Sequence, residues 1–225
     1  MKKIPVYVFI FSLFFMGNSF SQNACEDAGV YYGVNDEYIL FEEGNENATS
    51  YLDKKTDHYK YSPQKAFDKK KSTAWVEGVD GPGIQESIFF KIPHKAQYIK
   101  IINGLALSKK WFLLNNRVKD FHLTLNIYVL KSDSHQCGIM YFYKTFKVLK
   151  LKLNDSMSLQ KFNMGIDHDS VKKEIKNYVL SLKKSGEIED PESEPETGII
   201  GVLTIKDVYS GEKYDDTCIS EISFE

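Results

Sequence analysis

The sequence predicts an all-β fold, an antiparallel two-layered sandwich. Three observations predict it. The chain carries 14 Tyr and 15 Phe among 225 residues, and aromatic side chains suit pleated, half-buried surfaces. Short runs with period-two alternation recur along it. Turn residues punctuate those runs at close intervals.

The first 21 residues read as an export signal and not as part of the fold. Lys2 and Lys3 form a positive head, Val6 to Met16 an apolar stretch, and Ser19-Phe20-Ser21 a small-residue cleavage site after Ser21. That stretch is too short for a confident membrane span. A lipoprotein signal ending at Cys25 is the weaker rival, because Gln22-Asn23-Ala24 fits a lipobox poorly. Residues 22–47 read as a polar N-terminal extension. Within it, Val30 to Phe41 is either a strand or part of the extension, and Glu42 to Asn47 a loop. Asn47-Ala48-Thr49 matches a glycosylation sequon.

The strands follow. Ile88, Phe90 and Ile92 alternate until Pro93-His94-Lys95 ends the run. Tyr98 to Ile102 is closed by Asn103-Gly104. Phe121, Leu123, Leu125, Ile127 and Val129 face one way, with His122, Thr124, Asn126 and Tyr128 opposite. In Tyr141 to Leu153, Leu149, Leu151 and Leu153 oppose Lys150 and Lys152. Ile199 to Val208 and Ile219 to Phe224 complete the set. One helix interrupts it near 170–182, where Val171, Ile175, Tyr178, Val179 and Leu182 recur at helical spacing after Asp169-Ser170 as caps. Residues 186–197, acidic and broken by Pro191 and Pro195, read as a solvated loop.

Charge and cysteines narrow the function. The chain has 29 Lys and Arg against 31 Asp and Glu. Loss of Lys2 and Lys3 with the leader leaves 27 against 31, so the mature charge is about −4. A nucleic-acid binder needs a basic footprint, which is missing. Cys25, Cys137 and Cys218 cannot all pair internally; either Cys137 pairs with Cys218 or the thiols are free. No Cys/His spacing suits zinc. The five histidines are scattered, and none sits in an HExxH or Ser/His motif. Glu77 and Glu221 could in principle form a glycosidase pair, yet no spacing supports one.

Three stretches carry the most specific pattern. The first is Asp68…Thr73-Ala74-Trp75…Gly81-Pro82-Gly83. The second is Ile101-Ile102-Asn103-Gly104 followed by Asn115-Asn116-Arg117-Val118-Lys119. The third is the ending Val208 to Ile222, with Asp215-Asp216-Thr217-Cys218-Ile219-Ser220-Glu221. Together they resemble the NAD-glycohydrolase-type translocation (glycan-binding) domain, over roughly residues 48–225. The resemblance implies a jelly-roll sandwich of discoidin-like (galactose-binding-like) type, a binding role at a cell surface, and no NAD hydrolysis. Lys69 departs from it, since related sequences continue Asp-Gly there, and glycine tolerates the positive φ such turns need.

The residues themselves fit a rim site for a glycan. Trp75 offers a flat apolar face, or else plugs the end of the sandwich. Trp111, among Lys109, Lys110 and Phe112, is either an exposed platform or a core wedge. Asn103, Asn115 and Asn116 carry amides that match vicinal hydroxyls, although Asn also serves turns. Arg117 is a fork for a carboxylate, either from an acidic sugar or from Asp68, Asp216 or Glu221. Glu77 joins Trp75, Asn103, Trp111, Asn115, Asn116 and Arg117 as a candidate ligand-binding residue, with Asp68, Asp216 and Glu221 as structural or ion-pair groups. The expectation is a secreted or periplasmic, non-catalytic module for a glycan or cell-surface ligand. The alternative is a protein-interaction or envelope-associated module with no sugar site. No cofactor motif is present. Discoidin-like folds often hold a structural calcium ion, but here the carboxylates are scattered without EF-hand spacing.

Overall fold

A computed structural model describes residues 38–41, 46–130, 139–188 and 194–225. The 1–21 leader, Cys25 and Cys137 therefore lie outside the described residues. The described residues form ten strands and two α-helices: β1 (Tyr38–Phe41), β2 (Glu46–Ala48), β3 (Trp75–Val76), β4 (Ser87–Ile92), β5 (Tyr98–Asn103), α1 (Lys109–Leu114), β6 (Asn116–Leu130), β7 (Ile139–Lys152), β8 (Gln160–Asn163), α2 (His168–Ser185), β9 (Thr197–Tyr209) and β10 (Thr217–Phe224). The expected all-β class holds. β1 lies within the stretch 22–47 expected to be an extension and β2 straddles its end, and both join the sheet, on β7 and β4.

One wall runs β2-β4-β9-β6-β7-β1, and the other is β8-β5-β10 with β3 on β10. Pairing is antiparallel except where the start of β10 runs beside the start of β6, with Thr217 opposite Asn116. That junction ties the walls together at one end, where β5 and β9 also finish. The apolar sides of β4, β6, β9, β5 and β10 meet in one core holding Ile88, Phe90, Leu123, Leu125, Leu203, Ile101 and Ile222. Each such side chain contributes about 1.5–3 kcal/mol by leaving water. The rings of Phe67 and Phe224 lie 5.6 and 5.5 Å from that of Phe90, bridging the layers.

The outer face of β6 is wet only in part. His122 and Thr124 are half-buried, but Asn126 and Tyr128 are buried. Tyr128 packs with Phe89, Ile200 and Val202 in a second small cluster, and Asn126 Oδ1 accepts from Thr145 Oγ1 at 2.6 Å. α2 is longer than expected, and its cap lies two residues before Asp169. Asp167, not Asp169-Ser170, accepts from the backbone N–H groups of Asp169 and Ser170, and Gly186 ends the helix at φ 78°. Leu182 and Ile188 extend the core over Val129 and Phe142, so α2 closes the end of the sandwich opposite the β6–β10 junction.

One local expectation is corrected here. Asn47 sits on β2 with 4% of its surface exposed, so a glycan cannot be attached to it in the folded chain. Cys218 matches the other alternative offered for it, a buried free thiol; burial raises its pKa, which keeps it protonated and unreactive.

Candidate functional site

The loops at the β6–β10 junction are where the expected site residues gather. β5 ends in Asn103, whose Nδ2 donates to the Val118 carbonyl at 2.6 Å and whose Oδ1 accepts from the N–H groups of Gly104 (3.0 Å) and Val118 (2.9 Å). Gly104 follows at φ 66°, and a Cβ there would strike the Phe112 ring and the Arg117 side chain. α1 comes next. Ser108 Oγ accepts from Trp111 N, Asn115 Nδ2 donates to the Trp111 carbonyl at 2.8 Å, and Phe112 is buried. Asn116 Nδ2 donates to the Asp215 carbonyl, and its Oδ1 accepts from Gly211 N.

Arg117 holds this end together. Its Nε and Nη2 donate to the two Asp155 carboxylate oxygens at 3.0 and 2.8 Å. Its Nη1 donates to the carbonyls of Asn115 and Ser210 at 3.0 and 2.9 Å. The guanidinium lies 5.2 Å from the Phe112 ring centre. The partner is thus Asp155 and not Asp68, Asp216 or Glu221. The cause is general: loops that meet without a ladder leave backbone groups unpaired, and amide and guanidinium side chains complete them.

Trp75 is fully buried in the main core, and its indole N–H donates to the Ser50 carbonyl at 3.0 Å. It plugs the sandwich and presents no face to a ligand. Glu77 is also sealed. Its two oxygens accept from Thr217 N (3.1 Å) and Val79 N (3.0 Å), fastening loop 78–83 to β10. Burial pushes its carboxyl up to about 7, against those two hydrogen bonds and with the charges of Asp216 and Glu86 adding to the rise. Six of the seven expected ligand-binding residues (Trp75, Glu77, Asn103, Asn115, Asn116 and Arg117) are therefore buried and taken up by the protein itself. Trp111, on α1, is different: it is 39% exposed, and Leu107 in the turn just before the helix is 51% exposed.

Asp68, Asp216 and Glu221 were expected to be structural or ion-pair groups. Asp68 accepts from Lys70 N and from Thr73 Oγ1 at 2.9 Å, and Thr73 Oγ1 also meets the Lys70 carbonyl. The intervening Lys69 takes φ 63°, so the turn does need the conformation that glycine would supply more easily. Burial, and then Asp215, raise the Asp216 carboxyl. Glu221 is buried, and its Oε2 has no hydrogen-bond partner. Burial first, and then the charge of Asp68, lift its carboxyl to about 7. Among the described residues no group of three or more His, Cys, Asp or Glu side chains is placed to hold a metal. A hard cation needs only oxygens, however, and the orphaned Oε2 near Asp68 offers one.

Sequence reasoning missed an open groove of about 1000 Å³ at the other end of the sandwich, between the end of β4, the end of β10 and the first turns of α2. In the sequence Pro93-His94-Lys95 reads only as the end of a strand run, and Val171 and Ile175 only as a helix face; nothing in one dimension links the two segments. Among the described residues no helix is long and apolar enough to cross a membrane.

Residues 41–225 match the family described as NAD glycohydrolase translocation F5/8 type C domain. No curated protein matches the chain significantly. Solved structures similar to it include a family 32 carbohydrate-binding module of C. perfringens NanJ in complex with galactose (12% identity, 80% of this chain and 90% of that one, TM-score 0.39). Another is an F5/8 type C domain from Bacteroides fragilis (12% identity, 84% and 95%, TM-score 0.39). A third is chitosan-binding module 1 of a Paenibacillus chitosanase/glucanase (8% identity, 81% and 93%, TM-score 0.39).

Proposed function

This chain belongs to the family of NAD glycohydrolase translocation F5/8 type C domains, and from that premise we propose that it is an exported, non-catalytic module that recognises a glycan at a cell surface. The observation that carries the reading is Trp111, an exposed indole on the short, capped helix α1. The Ser108 cap, the Asn115 amide on the Trp111 carbonyl and the buried Phe112 under Arg117 hold it in place. A sugar's C–H face can pack on such a ring with little loss of conformational freedom, and preorganisation of this kind supports affinity. Arg117 and the three asparagines contribute indirectly, by fixing the platform. They are positioning residues and not sugar contacts.

A glycan array probed with the full chain tests this. Binding to a defined glycan subset, lost in Trp111→Ala with the melting temperature unchanged, is the expected result. Equal binding by Trp111→Ala, or a silent array with folded protein, removes the reading.

A structural calcium ion also fits this chain. Asp68 and Glu221 carboxylates, the Thr73 hydroxyl and the Lys70 carbonyl would hold it, all hard oxygen donors. The support is Glu221 Oε2, buried without a partner, in a carboxyl that Asp68 disfavours in its charged form. A bound cation would compensate both and would fasten loop 68–73 to β10.

A further inference from the structure

The groove beside α2 has the chemistry of a second ligand site, separate from Trp111 on α1. Its position follows from the strand ends: Ile92 closes β4, Phe224 lies at the end of β10, and Thr197 opens β9, whereas Trp111 lies by the starts of β6 and β10. Phe67, Ile92, Val171, Ile175 and Phe224 give it an apolar lining. All five belong to the main core or pack against it, so the surface is preformed.

Basic residues gather at one mouth, while Glu46, Lys69, Lys91 and Glu221 line the groove elsewhere. His94 and Lys95 come from the β4–β5 turn, and His168 and Lys172 from the first turns of α2. The two imidazoles lie 6.3 Å apart, and His168 Nε2 is 3.2 Å from the Ala96 carbonyl, which fixes that ring. Lys95 and Lys172 are exposed, and neither forms an ion pair with a described residue. Asp169 is the carboxylate on the first turn of α2 beside them. Two unpaired ammonium groups on one mouth are not a product of composition, because the chain as a whole is acidic, at −2. Lys95, from a turn, and Lys172, from a helix, give this mouth a positive charge that an anionic group would complement.

We propose that this groove binds a single-chain carboxylic acid of fatty-acid type, its hydrocarbon tail along the apolar lining and its carboxylate between Lys95 and Lys172. About 1000 Å³ lies at the upper end of the range for small-molecule sites. The apolar lining selects against a bare anion, and the lysines select against an uncharged chain.

Calorimetric titration of the full chain with dodecanoate, kept below its micellar concentration, tests the proposal. One saturable site is expected, with affinity reduced about tenfold or more in Lys95→Glu/Lys172→Glu, equivalent to ~1.4 kcal/mol. On the unaltered chain, acetate should not bind, and dodecanol should bind at least about tenfold more weakly than dodecanoate. These two comparisons decide the matter even if the double variant is unstable. Trp111→Ala should bind dodecanoate unchanged, which separates this site from the glycan reading. Absence of saturable binding, equal binding by the folded charge-reversed chain, or equal binding of dodecanol overturns it.

Discussion

At the scale of single residues, the two tryptophans have opposite environments and should behave oppositely. Trp75→Ala removes a fully buried indole and the hydrogen bond to Ser50. It should lower the unfolding free energy by about 3–5 kcal/mol, read by chemical denaturation. Trp111→Ala should change it by no more than about 0.5 kcal/mol. Glu77 makes a second prediction at this scale. Its folded pKa is raised from 4.5 to about 7, so the folded chain holds more protons than the unfolded chain between those values. By linkage, its contribution is most favourable below pH 4.5 and is lost as the pH rises through 7. With divalent ions chelated, the melting temperature should fall from pH 5 to pH 8, and part of that slope should vanish in Glu77→Gln. An identical slope in the variant would show that Glu77 is ionised throughout. Glu77 and Arg117 drew notice in the sequence because charged groups beside turns suit ligands. Their partners, Thr217 and Asp155, lie 140 and 38 residues away. No local pattern announces such pairing.

Elements were legible where burial has a simple period. The strand runs at 88–92, 98–103, 121–129 and 199–208 follow from alternation, because a sheet with a single core sorts side chains by parity. Leu151 and Leu153 are buried while Lys150 and Lys152 are exposed, as parity requires. β1, β2 and β3 are too short to show a period, and only their partners reveal them. α2 was visible from its helical spacing, but its start was not, since Asp167, Asp169 and Ser170 are all competent caps. A test at this scale is Gly201 on β9. It lies opposite Phe90, and a Cβ there would come within 2.4 Å of that ring. The Phe90 ring is already wedged between Phe67 and Phe224. Gly201→Ala should therefore destabilise by about 1–3 kcal/mol through overpacking, measured by thermal melting. A neutral result would mean that the ring has room to swing aside.

For the whole molecule, the calcium reading makes the sharpest prediction. Added Ca²⁺ should raise the melting temperature in a concentration-dependent way, because a ligand of the folded state stabilises it by mass action. Glu221→Gln should abolish most of that rise while remaining folded, and a chelator should return the unaltered chain to its lower value. A melting temperature indifferent to both Ca²⁺ and chelator would dismiss the ion. The sandwich also explains why binding chemistry divides between its two ends. The junction of β6 and β10 consumes amides and the guanidinium to join the two walls, leaving Trp111 outward. The far end is closed by α2, which leaves a groove. By itself the sequence determined the fold class, most strands, the one long helix and the family pattern, because periodicity and short motifs are local and survive in one dimension. Only the tertiary structure decided that the motif residues are fasteners, that Arg117 meets Asp155, and that β4, β10 and α2 enclose a groove. Those outcomes rest on contacts between distant segments, and a buried polar group takes whichever partner the packing brings within reach.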